Sequence, residues 1–202
     1  MSLDSLYNRT IQVNDEYSSV ARPGFLIWIT GLSGSGKTTL GESVHRRLRT
    51  RGTSTILLDG DSLRAMTGDV FGYAIEDRRR CAEFYFRLCK MLTEQNVNVI
   101  CCTISMFDSV RKMNRETISR YLEVFLNAPM DLLKLRDQKQ LYTQSEVESN
   151  VMGRGQSVEL PKHCDLSFDL GAVGLDSAMM TDRLLGMIAE RGWETLHDQV
   201  QY

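Results

Sequence analysis

The sequence contains no uncharged apolar run near the ~18 residues that a membrane-spanning helix requires, so no transmembrane segment is expected. Its first twenty residues, Met1 to Val20, are too acidic and polar to read as a secretory signal. Histidine is scarce, and His45, His163 and His197 lack the partner spacing of a metal site. The five cysteines (Cys81, Cys89, Cys101, Cys102 and Cys164) are an odd number without paired zinc-type spacing. Adjacent Cys101 and Cys102 cannot easily bridge each other, which points to reduced thiols in a cytoplasmic protein. There is no basic excess either: net charge is −2, which gives no reason to expect DNA or RNA as partner. A local basic pocket for a small anion stays open. Internal repeats, low-complexity tracts and composition shifts are all missing, so one domain is expected.

What is present is the balance of a soluble globular chain, with 42% hydrophobic and 25% charged residues. Residues 1–24 show neither the helical nor the strand period and are expected to form an N-terminal arm, with the domain spanning 25–202. Within it, short apolar runs alternate with helical patterns, the signature of βαβ units and a parallel sheet. The runs are Phe25–Thr30, Ser54–Leu58, Val97–Ile104, Leu122–Ala128 and Asp165–Leu170. Helices are expected over Lys37–Arg49, Asp77–Gln95, Asp108–Arg120, Asp131–Leu135 and Ser177–Arg191, with Gly192 as the final stop signal. In the second of these, Phe84, Leu88, Met91 and Leu92 form the expected buried row. Trp28, Cys101 and Cys102 are read as core residues of their strands.

Between the first strand and the first helix lies Gly31-Leu32-Ser33-Gly34-Ser35-Gly36-Lys37-Thr38, followed by Thr39. It matches G-x-x-x-x-G-K-S/T in the required strand–loop–helix setting. Glycines let successive backbone N–H groups turn inward as an anion nest, and the helix N-terminus adds partial positive charge. Lys37 is expected to neutralise the β- and γ-phosphates, and the Thr38 hydroxyl to take a place on Mg²⁺. The expected fold class is therefore α/β: a three-layer P-loop NTPase with a parallel five-stranded sheet flanked by helices. ATP and Mg²⁺ are the expected cofactors.

The second strand ends in Asp59-Gly60-Asp61, two carboxylates at the sheet edge that lines the ligand crevice in open α/β folds. A carboxylate there can hold Mg²⁺ or take the proton of an attacking hydroxyl. Asp59-Gly60 alone reads equally well as a turn.

These residues, with Leu-Leu-Asp59-Gly60-Asp61 and Arg64 behind the loop, resemble the adenylyl-sulfate kinase family. That family carries GLSGxGKST, DGDN-x-R, GFS-x-x-DR, IS-PYR-x-x-R, RDPKGLY, an F-x-G motif and E-x-P-x-x-PDL. In the same order this chain has Gly72-Tyr73-Ala74-Ile75-Glu76-Asp77-Arg78, then Ile104-Ser105-Met106-Phe107 with Arg111. Arg136-Asp137-Gln138-Lys139-Gln140-Leu141-Tyr142 and Glu159-Leu160-Pro161 with Asp165-Leu166 follow. The resemblance implies transfer of the ATP γ-phosphoryl to the ribose 3′-hydroxyl of adenylyl sulfate. Carried over residue by residue, Asp61 orients or deprotonates that hydroxyl, and Lys139 covers the transferring group from a lid at about 137–160. Arg64 and Arg78 bind the anionic part of the acceptor, and Asp59, Tyr73, Ile104, Ser105, Phe107 and Val151 line its site. Asp59 also joins Thr38 as a metal ligand. The resemblance further makes a homodimer a state open to the chain.

Departures from the family pattern gather on the acceptor side. Tyr73 stands for one stacking phenylalanine and can still stack, whereas Val151 stands for the other and cannot. Cys81 replaces an asparagine, Met106-Phe107-Asp108 replaces Pro-Tyr-Arg, and Glu146 and Glu148 replace a basic lid stretch. This pattern is similar to a capsule-associated branch of the family that includes a kinase of cytidine diphosphoramidate, whose smaller base needs less stacking surface. An inactive nucleotide-binding subunit is the remaining reading. A regulatory GTPase is excluded by the absence of an Asn-Lys-x-Asp stretch.

Overall fold

The structure, a computed structural model, describes residues 22–136 and 158–194. Lys139, Val151, most of the expected arm and most of the expected lid lie outside the described residues. Five strands form: β1 (Leu26–Gly31), β2 (Thr55–Asp59), β3 (Asn98–Thr103), β4 (Tyr121–Asn127) and β5 (Leu166–Asp169). Every one lies within a residue of its expected bounds at either end. All pairings are parallel, in the order β2-β3-β1-β4-β5.

Central β1 is buried along its whole length, which is why its sequence is continuously apolar rather than alternating. Successive side chains still point to opposite faces. Ile27 and Ile29 join α1 (Lys37–Thr50) and α6 (Ser177–Glu190) through Leu40, Val44, Leu184 and Ile188. Leu26 and Trp28 join α3 (Ile75–Glu94) and α4 (Asp108–Thr117) through Tyr85, Cys89, Val110 and their neighbours. The result is the expected helix–sheet–helix sandwich. Cys101 and Cys102 of β3 are buried, one on each face. Among the described residues, no helix is long and apolar enough to cross a membrane.

Three elements differ from expectation. A short helix, α2 (Gly60–Thr67), follows β2 directly where a turn was the alternative. Asp59 is its N-cap, a signal present in the sequence but masked by the turn-forming Asp59-Gly60 pair. In α3 the buried face is Cys81, Ala82, Tyr85, Phe86, Cys89 and Thr93, while Phe84 and Met91 are exposed. Leu88 and Leu92 of the expected row do pack against the core as partly buried residues, so the buried face is offset from that row by about one residue, roughly 100°. Small cysteine, alanine and threonine side chains let the helix approach the sheet, and apolarity alone does not score them highly. Finally, α4 stops at Thr117, because Ile118 turns to φ −108°, ψ 107° and enters the core.

Short α5 (Met130–Leu135) buries Leu133 beside Leu32 of the loop after β1. The end of α6 closes as expected: Gly192 has φ 63°, and Trp193 N–H reaches back to Ile188 O at 3.0 Å. Trp193 stacks on Phe25 with ring centres 5.7 Å apart. Asp165, just before β5, holds Arg115 of α4 at 2.9 Å and Arg191 at 2.8 Å, tying three segments to the sheet.

Candidate active site

The loop between β1 and α1 starts from backbone geometry. Gly36 sits at φ 90°, a left-handed conformation that costs glycine little, and it is the N-cap of α1. Gly31 is there for space: a Cβ would lie 2.6 Å from Ser35 Oγ and 2.9 Å from Leu126 O. Ser35 N–H closes the turn on Leu32 O at 3.2 Å, with Ser33 and Gly34 at its bend. Lys37 folds back so that Nζ donates to Leu32 O at 2.8 Å, placing an ammonium over the loop. Thr38 and Thr39 occupy the exposed first turn of α1, where backbone N–H groups have no intrahelical acceptor. An anion is the partner such a turn accommodates best.

The two loci singled out as metal ligands meet. Thr38 Oγ1 donates to Asp59 Oδ2 at 2.7 Å. The other oxygen of the same carboxylate caps α2, accepting from Asp61 N–H at 3.0 Å and Ser62 N–H at 3.2 Å. One carboxylate therefore fixes the first turns of two helices. A hydroxyl beside a carboxylate, both oxygen donors, suits Mg²⁺, which protein sites hold through one or two such groups together with phosphate oxygens. No cluster of three or more His, Cys, Asp or Glu side chains suited to a metal occurs among the described residues. A P-loop magnesium needs none. Asp61 stands exposed in the first turn of α2, at the positive end of that helix. Its neighbour Gly60 approaches β3 so closely that a Cβ would lie 3.1 Å from Cys102 O. From α3, Tyr85 Oη donates to Gly60 O at 3.2 Å.

Arg64 lies three residues after Asp61 and so on the same side of α2. Its Nη1 donates to Phe71 O at 2.9 Å and Gly72 O at 3.2 Å. Arg78, in the first turn of α3, donates Nε–H to Tyr73 O at 3.0 Å. Both guanidinium carbons stand over the Tyr73 ring, at 4.8 and 5.3 Å from its centre, and Tyr73 is 56% exposed. Burial and the nearby Arg64 charge both push the Arg78 pKa down, which marks an uncomfortable concentration of positive charge. Glu76 and Asp77 stand in the same turn and pair with Arg79 and Arg80. An anion would relieve the strain between the two cations.

Beyond β3, Ile104 O accepts the Thr30 hydroxyl at 2.5 Å, and Ser105 adopts φ 23°, rare for a residue with a side chain. Ser105 Oγ shares a 2.7 Å hydrogen bond with Thr103 Oγ1. Phe107 is buried in the core, and Arg79 covers its ring at 4.9 Å. The stacking of Arg79 has no local signal in the sequence. Arg111, matched by motif, is buried beside Glu123.

Residues 23–169 match the family model described as Adenylylsulphate kinase. A Cytidine diphosphoramidate kinase of Campylobacter jejuni is 39% identical over 132 residues, 64% of this chain and 76% of that one. An Adenylyl-sulfate kinase of Halothermothrix orenii is 30% identical over 179 residues, 88% of this chain and 96% of that one. Among solved structures, the Mycobacterium tuberculosis APS kinase in complex with AMPPNP and APS superposes with a TM-score of 0.74. It is 25% identical, and the match covers 83% of this chain and 98% of that one. With the glycine loop, the parallel order β2-β3-β1-β4-β5 and the matched span agreeing, the chain belongs to the adenylyl-sulfate kinase family of P-loop kinases.

Proposed function

We propose that this kinase transfers the γ-phosphoryl of ATP to the ribose 3′-hydroxyl of a small anionic nucleotide, and that the acceptor is cytidine diphosphoramidate. The observation that carries the anionic acceptor is the meeting of Arg64 and Arg78 on the Tyr73 ring, on the helices next to Asp61. The loop N–H groups and Lys37 hold the nucleotide phosphates, and Lys37 offsets charge that builds up on the transferring group. Thr38 and Asp59 would hold Mg²⁺, which supplies charge neutralisation when bound. Asp61 accepts the proton of the attacking hydroxyl, and the two arginines fix the acceptor's anionic group so that this hydroxyl points at Asp61. Lys139 belongs to the same proposal, as a cation that neutralises the reacting phosphoryl.

Two observations favour the cytidine compound. The Campylobacter kinase of that name shares 39% identity, against 30% for the Halothermothrix adenylyl-sulfate kinase. Moreover, Val151 offers no second aromatic wall for a purine. Adenylyl sulfate is the second reading, favoured by the end-to-end match to the Halothermothrix enzyme.

ADP release from Mg·ATP with each acceptor in turn separates these outcomes. Turnover is expected with cytidine diphosphoramidate and little with adenylyl sulfate. The reverse preference would install the second reading. ADP release with neither, and with no nucleoside monophosphate, would leave a nucleotide-binding subunit and sink the kinase proposal.

A further inference from the structure

Helix α4 starts at Asp108, yet its N-cap position is Phe107, which has no side-chain oxygen. The cap arrives from 51 residues away: Asp108 N–H donates to the Glu159 carboxylate. Glu159 N–H also donates to Met106 O at 3.2 Å. Its carbonyl in turn accepts from Arg111 Nη2 at 2.7 Å. Arg111 is only 5% exposed, and its Nε stands 3.2 Å from Glu123 Oε1 on β4, itself 4% exposed; Arg111 also pairs with Asp108. Three segments therefore converge on one buried guanidinium, α4, β4 and the chain at Glu159, and Glu159 in turn holds the β3–α4 loop.

A buried ion pair is commonly no more than structural, and apolar replacements of similar volume often serve as well. What sets this one apart is what it grips. The loop it holds contains Ser105 at φ 23°, a conformation that persists only where the surroundings over-determine it. Thr103 restrains that loop from within, and Glu159 restrains it at Met106 and Asp108. From the α3 side, Arg79 lies over Phe107 and donates to Ser109 Oγ at 3.3 Å. Burial pushes the Glu123 carboxyl up, while Arg111 and then Arg115 pull it back, so the pair is partly compensated.

We propose that Arg111 is a positioning residue for the acceptor: anchored on Glu123, it holds the Ile104–Phe107 loop in its strained form through Glu159. This rests on the reading that the loop borders the acceptor site. Glu123 fixes the guanidinium to the sheet, the guanidinium fixes the Glu159 carbonyl, and Glu159 fixes Met106 and the first turn of α4. Among the described residues, none of these contacts involves residues 31–38.

The test compares Arg111→Lys with the double variant Arg111→Met/Glu123→Leu. Lysine keeps the charge but lacks the fork that serves Glu123 and Glu159 together. The double variant removes both buried charges, leaves Arg115 its Asp165 partner and leaves Asp108 exposed to water, and is expected to melt within a few degrees of wild type. In both, acceptor KM should rise about tenfold, the loss of roughly one charge-assisted hydrogen bond, with ATP KM unchanged. Amide hydrogen exchange should quicken at residues 104–110 and stay the same at 31–38. If either variant folds with a wild-type acceptor KM, or if both KM values rise together, the positioning role is overturned. Should the double variant fail to fold, Arg111→Lys decides alone. Wild-type protein inactive with every acceptor would refute the function proposed above. The exchange pattern would then decide the coupling by itself, and unchanged exchange at 104–110 would overturn it.

Discussion

The two halves of the crevice are built by different means. The phosphate half is a run of consecutive residues, Gly31 to Thr38, shaped by backbone dihedrals and by the absence of a Cβ at Gly31. The proposed acceptor half is assembled from α2, the start of α3 and the loop after β3, by side chains that meet across separate elements. Backbone geometry leaves few residue choices, so the first half tolerates little change. Side-chain contacts can be exchanged pair by pair, and there the chain departs from its family at Tyr73, Cys81, Phe107 and Asp108. Asp59 is the joint between them, with one oxygen on Thr38 and the other on the first turn of α2.

The largest expected break lies on the phosphate side. Lys37→Ala should lower turnover by about two to three orders of magnitude, the scale of losing one preorganised charge at the transferring group. Acceptor binding, followed by titration calorimetry, should be untouched. Weakened acceptor affinity in that variant would show that the halves are not separable. A smaller effect is expected opposite. Arg78→Ala should raise acceptor KM about tenfold to a hundredfold, as loss of a charge-assisted contact to an anion. ATP KM should hold, and a matched rise in both constants would contradict the division.

The smallest effect concerns the frame that both halves share. Burial raises the Asp165 carboxyl pKa, but Arg115, the Glu123 N–H and Arg191 outweigh it and hold the value below the ordinary range. A depressed carboxyl pKa contributes stability above its unfolded value, lost as pH falls through the folded one. Asp165→Asn should therefore be less stable than wild type at pH 7, by about 1–3 kcal/mol in urea titrations. The gap should close as pH falls below about 4, the ordinary carboxylate range. A gap that stays constant over that range would mean that the carboxylate charge is not what binds Arg115 and Arg191. Both KM values should stay level at pH 7.

Most of the fold could be read along the chain. A parallel strand buried on both faces must be continuously apolar, and the five such runs here lie within a residue of the observed strands. Helix phase was less legible. In α3, Phe84 and Met91 look like core but face solvent, because close approach to the sheet selects Cys81, Ala82 and Cys89 instead. The phosphate loop was legible because its shape is local. On the acceptor side, the motif matches singled out Arg64, Tyr73 and Arg78, but not that two guanidiniums share one ring. The inward burial of Phe107 under Arg79 was equally invisible, since that contact joins α3 to a loop nearly thirty residues on.

By itself, then, the sequence determined the parallel α/β sheet, the nucleotide loop and the family, since each depends on spacing and backbone preference within short windows. Tertiary structure alone decided the hydrogen bond that joins Thr38 to Asp59, the paired arginines over Tyr73, and the Arg111–Glu123–Glu159 anchor. These contacts join residues from 5 to 48 positions apart. Only folding brings such groups within hydrogen-bond or ring-contact distance, and no local propensity encodes which partner each will find.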